Sequence, residues 1–254
     1  MTTATTKVLP YQWGADIDWD ALNFDPDKLK DRDMLQDPII QEIGHILSSR
    51  FSETRRRRRN FLSNGTNICY DPNNLNVRVQ PDYYVAFGVD EYSIRRRRLY
   101  LPWEVGKAPD FALELASDTT YRNDLHRKPG IYAGIGITEY WRFDPTGGEL
   151  YGEPLAGFTL SGGSYQPVPL TTEPDGVLKG YSAVLELSLC WLEDDEWLGF
   201  YDPAAGEYLN NLNQEREALQ AEREALQAER AARAEDQHRI RQLEEQLSRL
   251  QSGQ

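Results

Sequence analysis

The stretch whose reading decides the fold is APDFALELASDTTYRNDLHRKPGIYAGIGITEYWRFDP, residues 108–145. Within it, FALELAS alternates with period two. Phe111, Leu113 and Leu115 share one face, and Ala112, Glu114 and Ala116 share the other, which is the pattern of a β-strand. Ser117 or Asp118 can then cap a helix running through Asp124 toward Lys128. ITEYWRFD reads as a further strand, ended by Pro145 and Gly147–Gly148. A carboxylate in the middle of an apolar strand is costly unless it is paired or metal-bound. Glu114 is therefore the most informative residue of the stretch. The plain alternative is a carboxylate on a solvent-facing strand, flanked by alanines.

Upstream, Val77 and Val79 lead into QPD, ending in Asp82, and Tyr83, Val85 and Phe87 alternate on one face of the next strand. Taken alone, Asp82 reads as an ordinary Pro-Asp turn. RRLYLPWEV reads as one more short β-like run. A first helix is predicted from Asp37 as N-cap, through Pro38 at its first position, to about Arg50, with Ile39, Ile43, Ile46 and Leu47 at helical spacing. The arginine blocks Arg55–Arg59 and Arg95–Arg98 read first as solvated loops and second as phosphate contacts. Residues 150–210 are strand and turn and close the same domain.

The tail differs in kind. From about Asn213 to Leu250 there is neither Pro nor Gly, and QEREALQ is followed by AEREALQ at a spacing of seven. Leu212, Leu219, Leu226, Ile240 and Leu247 fall on one heptad position. The partner position is Leu243 and Leu250 late, but Glu222 and Glu229 early, so an apolar seam exists only over the last two heptads. A long helix follows. It is either a self-associating coiled coil or a solvated helix held by Glu–Arg pairs.

Composition bounds the function. The chain has 254 residues, 39% apolar and 27% charged, with 6 Trp and 14 Tyr, which is enough for a true core plus an appendage. A net charge of −13 argues against a non-specific nucleic-acid coat, although local basic segments and bound metal ions can offset it at a site. No run approaches the roughly 20 apolar residues of a membrane span. The first residues lack a basic segment followed by an apolar one, so no secretory signal is expected. Cys69 and Cys190 suit neither a disulfide framework nor a zinc site, which makes a reducing, cytoplasmic setting the default. His45, His126 and His238 form no metal or triad spacing, and neither a phosphate loop nor a Gly-x-Ser-x-Gly elbow is present.

Residues 108–145 resemble the central signature of the Uma-type family of putative restriction endonucleases, built on the PD-(D/E)XK nuclease core. The matching residues are Asp82, Pro109, Asp110, Glu114, Ser117, Asp124, Lys128, Tyr132, Gly136, Glu139, Tyr140, Trp141, Asp144 and Pro145. From Pro109 to Pro145 the spacing agrees without a gap, and the likeness extends over roughly 34–208. The resemblance implies an α/β fold, a restriction-endonuclease-like core with a mixed central sheet flanked by helices. It also implies that Asp82 and Glu114 bind a metal. Lys128 would stand in for the lysine often found two residues after the Glu, a slot held here by Ala116. Glu42 on the first helix is the candidate accessory acid, by position alone, and a solvent-facing helix carboxylate is its plain alternative. Two departures stand out. Ser117-Asp118-Thr119-Thr120 replaces Ser-Pro-Ser-Thr, and Pro129 after Lys128 predicts that the presenting helix kinks or stops there. Asp124 and Lys128, four apart, would also fit a plain surface ion pair.

Together these readings give an irregular lead-in over 1–33, a nuclease-like domain over 34–210 and a helical or coiled-coil tail over 211–254. The function expected is Mg²⁺- or Mn²⁺-dependent hydrolysis of DNA phosphodiesters by Asp82, Glu114, Lys128 and Glu42, in a homodimer joined through the tail. The competing reading is an inactive nuclease-fold protein acting as an interaction module through that tail.

Overall fold

The structure is a computed structural model that describes residues 33–51, 60–192, 197–211 and most of 214–237. Residues 1–32 of the 1–33 lead-in, the arginine block 55–59 and the tail seam Ile240, Leu243, Leu247 and Leu250 lie outside the described residues, and Asp33 already belongs to the first helix.

The first helix, α1 (Asp33–Arg50), buries Ile39, Ile43, Ile46 and Leu47 as its spacing predicts. It begins a turn earlier than Asp37, so Pro38 lies inside it. Proline there gives up one main-chain bond toward the helix start, and the side chain of Gln36 ties that early turn to the sheet, with Nε2 donating to the Leu115 carbonyl at 2.9 Å.

The chain then forms β1 (Asn60–Ser63), β2 (Ile68–Cys69), β3 (Arg78–Val79) and β4 (Tyr83–Phe87). Two short helices follow, α2 (Glu91–Arg97) and α3 (Pro102–Val105), where the sequence suggested strand and loop. Local chemistry decides this. Asp90 caps α2 by accepting from the Tyr92 amide at 3.0 Å, and Pro102 opens α3 at a position that needs no N–H donor.

Next come β5 (Phe111–Leu115), α4 (Tyr121–His126), α5 (Lys128–Ile135) and β6 (Glu139–Phe143). The expected single helix is thus two, and α4 begins at Tyr121 with Thr120 as N-cap. With β7 (Leu155–Ser161) and β8 (Ser164–Pro167), a six-stranded sheet is complete in the order β1-β4-β5-β6-β7-β8. Within this sheet only β5 and β6 are parallel. A parallel pair needs a crossover, and α4 with α5 provides it. A second, antiparallel sheet runs β13-β12-β11-β10-β9, made of β9 (Leu170–Thr172), β10 (Leu178–Ser182), β11 (Leu187–Leu192), β12 (Trp197–Asp202) and β13 (Glu207–Tyr208).

The predicted alternation in β5 separates two cores. Phe111, Leu113 and Leu115 join Tyr83, Val85, Trp141, Phe143, α1 and the second sheet. Ala112 joins Tyr84, Ala86, Tyr132, Tyr140, Phe61 and Ile94. Glu114 points toward this second side, under α4 and α5. The sheets are locked together by Glu139, which is 1% exposed. Its carboxylate accepts from Trp141 Nε1 at 3.0 Å, Ser182 Oγ at 2.5 Å and the Ala183 and Val184 amides at 2.9 and 3.2 Å. The Trp141 ring lies so flat on β7 that a Cβ on Gly157 would sit 2.6 Å from it.

Described residues between 214 and 237 are helical, and Leu219 and Leu226 are exposed there. Among the described residues no helix is long and apolar enough to cross a membrane, and both cysteines are free and buried.

Because each buried donor left unpaired costs about 1–3 kcal/mol, Glu139→Ala is expected to lower stability by at least about 3 kcal/mol. Urea denaturation checks this, and an unchanged midpoint would show that the carboxylate does not join the sheets.

Candidate active site

The register of β4 against β5 pairs Tyr83 with Leu113, which places Asp82, just before β4, level with Glu114. The two residues are laced together. The Leu115 amide donates to Asp82 Oδ2 at 2.7 Å, and the Asp82 amide leans toward Glu114 Oε2 at 3.4 Å. Glu114 is fully buried, so the solvent-facing alternative does not hold, and its charge needs partners. Helix α5 supplies them. Lys128 Nζ lies 2.7 Å from Glu114 Oε2, and Tyr132, one turn further on, donates its hydroxyl to Glu114 Oε1.

Pro129 proves compatible with this role. The helical path breaks at Arg127, and a new helix starts at Lys128 with proline in its first turn, where a missing N–H costs nothing. Lys128 therefore opens α5 instead of ending α4. Its ammonium also lies 2.8 Å from Asp124 Oδ1, and Asp124 is fully buried, so this four-residue pair is not a surface one.

Asp124 is held in turn. Tyr151 donates to Oδ2 at 2.8 Å, Thr120 Oγ1 reaches the same oxygen at 3.3 Å, and Tyr140 donates to the Asp124 carbonyl at 2.7 Å. Ser117 Oγ lies 2.7 Å from Thr120 Oγ1, so the Ser-Asp-Thr-Thr segment forms a hydroxyl network under Asp124. Tyr151 is positioned by Asp144, whose carboxylate accepts from the Thr146, Leu150 and Tyr151 amides at 3.0, 2.8 and 2.8 Å.

Three of the four residues predicted for the site, Asp82, Glu114 and Lys128, are thus brought together. Glu42 is not among them. It lines a cavity of about 690 Å³ with Trp197, Asn211, Asp175 and Tyr208 on the side of the second sheet, where burial raises its carboxyl above the ordinary value. Among the described residues, Gln36 of α1 reaches the site, through the Leu115 carbonyl. Tyr132 was legible as one turn from Lys128. Gln36 and Tyr151 carried no sequence signal, because their roles depend on tertiary approach. Arg142 was also missed. It stands beside Glu114 on β6, with its guanidinium packed on Tyr151 and Phe158 at 5.4 and 5.0 Å and paired to Glu153 at 3.2 Å.

The cluster gathers three buried or nearly buried carboxylates, Asp82, Glu114 and Asp124, around one ammonium. Burial is the largest cause pushing Glu114 well above the usual carboxylate range, and the neighbouring Asp82 adds to it. Burial likewise raises Asp82, against the opposing pull of Lys128 and the Leu115 amide. Burial pulls the Lys128 ammonium down, but Glu114, Asp124 and Asp82 more than reverse this, so it stays charged. Fully ionised, the group would carry two uncompensated negative charges, which is the demand that a divalent cation meets. Among the described residues no group of three or more His, Cys, Asp or Glu is arranged to hold an ion. The oxygen donors that could hold one are the carboxylates of Asp82 and Glu114, and Mg²⁺ often takes one or two carboxylates and keeps its waters.

A family model described as "Uma2: Putative restriction endonuclease" matches residues 35–190, more than half of the chain. None of the curated proteins matches. Among solved structures, the chain is similar to a putative nuclease belonging to DUF820 from Anabaena variabilis. The identity is 14% and the TM-score 0.36, over 54% of this chain and 70% of that one.

The raised carboxylates predict how cation-free stability depends on pH. A carboxyl whose folded pKa lies above its unfolded value favours the folded state while protonated, and that contribution is lost as pH rises through the folded pKa. With EDTA present, the urea midpoint is expected to fall as pH rises above about 5, and Glu114→Gln, which cannot ionise, should flatten the fall. Equal slopes in the two proteins would contradict the assignment.

Proposed function

The chain belongs to the Uma2 family of putative restriction endonucleases, and on that premise we propose that it is a divalent-metal-dependent endodeoxyribonuclease with a PD-(D/E)XK-type site. The observation that carries the proposal is Glu114. It is a fully buried mid-strand carboxylate with Asp82 level with it and the Lys128 ammonium 2.7 Å away. Asp82 and Glu114 would hold Mg²⁺ or Mn²⁺, which when bound supplies a Lewis acid for the phosphoryl oxygen and lowers the pKa of water.

The protein's own residues do the remaining work. Lys128, kept charged by its three carboxylates, donates hydrogen bonds to the attacking water and offsets charge developing on the phosphate. Tyr132 fixes the second oxygen of Glu114. Asp124, clamped by Tyr151 and Thr120, fixes Lys128. The reaction joins the water oxygen to phosphorus and breaks one phosphorus–oxygen ester bond. The departing oxygen takes a proton and leaves as a hydroxyl. The two departures from the family pattern are both consistent with an ordered site. Pro129 opens the helix that presents Lys128, and the Ser117–Thr120 hydroxyls brace Asp124.

Purified protein is expected to nick supercoiled plasmid in Mg²⁺ or Mn²⁺. Glu114→Ala should abolish nicking, and Lys128→Ala should slow it by about 10²-fold or more. Undiminished nicking by Glu114→Ala would overturn the proposal.

A homodimer belongs to the same proposal, on sequence grounds. Ile240, Leu243, Leu247 and Leu250 form the apolar seam, and two joined sites could address both strands of a duplex. Sedimentation should show a dimer for the full chain and a monomer for a chain ending at Asn211. A monomeric full chain would remove the tail as the joint.

A further inference from the structure

The Arg95–Arg98 block has no part in the site described above, yet its place in the fold is specific. Helix α2 lies on the same side of the sheet as Glu114, with Ile94 packed against Phe61 and Tyr84. There Arg95 and Arg98 line a cavity of about 540 Å³ together with Ser63, Asn64, Gly65 and Thr66 of the turn that follows β1.

That turn stands at the catalytic end of the sheet. Ser63 pairs with Tyr84, so the chain continuing through Asn64 and Gly65 comes level with Asp82 and Glu114. A Cβ on Gly65 would lie 4.0 Å from Gln80 Nε2, two residues before Asp82. The order β1-β4-β5 puts the cavity about two strand spacings from Glu114, roughly 10 Å. Phosphates on one strand of a duplex rise about 3.4 Å each along the axis, so a phosphate in the cavity would be a near neighbour of the one at Glu114.

The chemistry suits such a ligand. Arg95 reaches Glu91 at 2.9 Å, whereas Arg98 is exposed and has no ion-pair partner among the described residues. Arg98 also holds a left-handed backbone, φ 56°, at the end of α2, a position that glycine takes without strain. Arginine is thus present where its backbone is disfavoured, beside hydroxyl and amide donors and on a protein whose total charge is −13. Guanidinium groups suit phosphate because their N–H donors match its oxygens two at a time.

We infer that Arg95, Arg98 and the Ser63–Thr66 turn form a phosphate subsite that grips the nucleic-acid backbone a short distance from the scissile phosphodiester. The subsite rests on the endonuclease reading and extends it to where the substrate lies. It touches backbone and not base edges, so it adds affinity and register without sequence preference.

The test uses the full chain and a fluorescently labelled DNA duplex, with Ca²⁺ in place of Mg²⁺, and measures affinity as a function of salt. Arg95→Gln/Arg98→Gln is expected to weaken binding roughly 10-fold at about 0.1 M salt and to reduce the slope of log K against log[salt] by about 1 for each phosphate no longer engaged. The weakening should be equal for unrelated duplex sequences. Arg96→Gln, on the same helix but outside the cavity, should change both far less. A weakening as large in Arg96→Gln would mean a diffuse field and would overturn the subsite, as would an unchanged affinity in the double variant of a protein that still nicks plasmid. Binding that depends on Arg95 and Arg98 in a protein that nicks in neither Mg²⁺ nor Mn²⁺ would uphold the subsite and sink the endonuclease reading. No binding by the wild type would overturn both.

Discussion

The placement of Glu114 is the constraint on which the rest depends. A carboxylate with no exposure in the middle of a central strand is tolerable only if its surroundings answer its charge, and the architecture is arranged to do so. The parallel pairing of β5 with β6 forces a crossover over that face. The crossover breaks at Arg127, and the restart at Lys128 brings an ammonium and, one turn later, a phenol onto the two oxygens of Glu114. Asp82 arrives from the other side through the antiparallel register of β4. One lysine cannot neutralise Asp82, Glu114 and Asp124 together, so burial and mutual repulsion raise the carboxyls of Glu114 and Asp82.

The support for this cluster extends outward in layers of hydrogen bonding. Asp144 organises the loop that presents Tyr151, Tyr151 holds Asp124, and Asp124 holds Lys128. Glu139 fastens the second sheet to β6. The second sheet thereby covers the apolar face of the strands whose other face carries Glu114 and the cluster around Lys128. On that other face α2 brings Arg95 and Arg98 to the same end of the sheet, so a basic patch and an acidic centre lie on one side of an acidic protein.

Much of this was legible in residues 108–145. Period-two alternation located β5 and marked Glu114 as anomalous, and EYWRF gave β6. The spacing of Asp124 and Lys128 placed them one helical turn apart, although α4 and α5 are two helices joined at a break at Arg127. What sequence could not supply follows from physics that acts across distance. Pro129 signals a helix end as readily as a helix start, and only the break at Arg127 decides between them. RRLYLPWEV has strand-like composition, but only Tyr100 bridges, to Ile68, and Pro102 opens a helix over Pro102–Val105. Glu42 has the right residue type on the right helix, yet it faces the second sheet, and the site is reached instead by Gln36, whose amide finds a carbonyl 79 positions away.

The most direct measurement of the central claim is calorimetric titration of the full chain with Mn²⁺, for the wild type and for Asp82→Asn. The account predicts a defined binding event in the wild type that is abolished or strongly weakened in Asp82→Asn, because one of the two converging carboxylates is neutralised while its shape is kept. Binding of equal strength in both proteins, or none in the wild type, would contradict it.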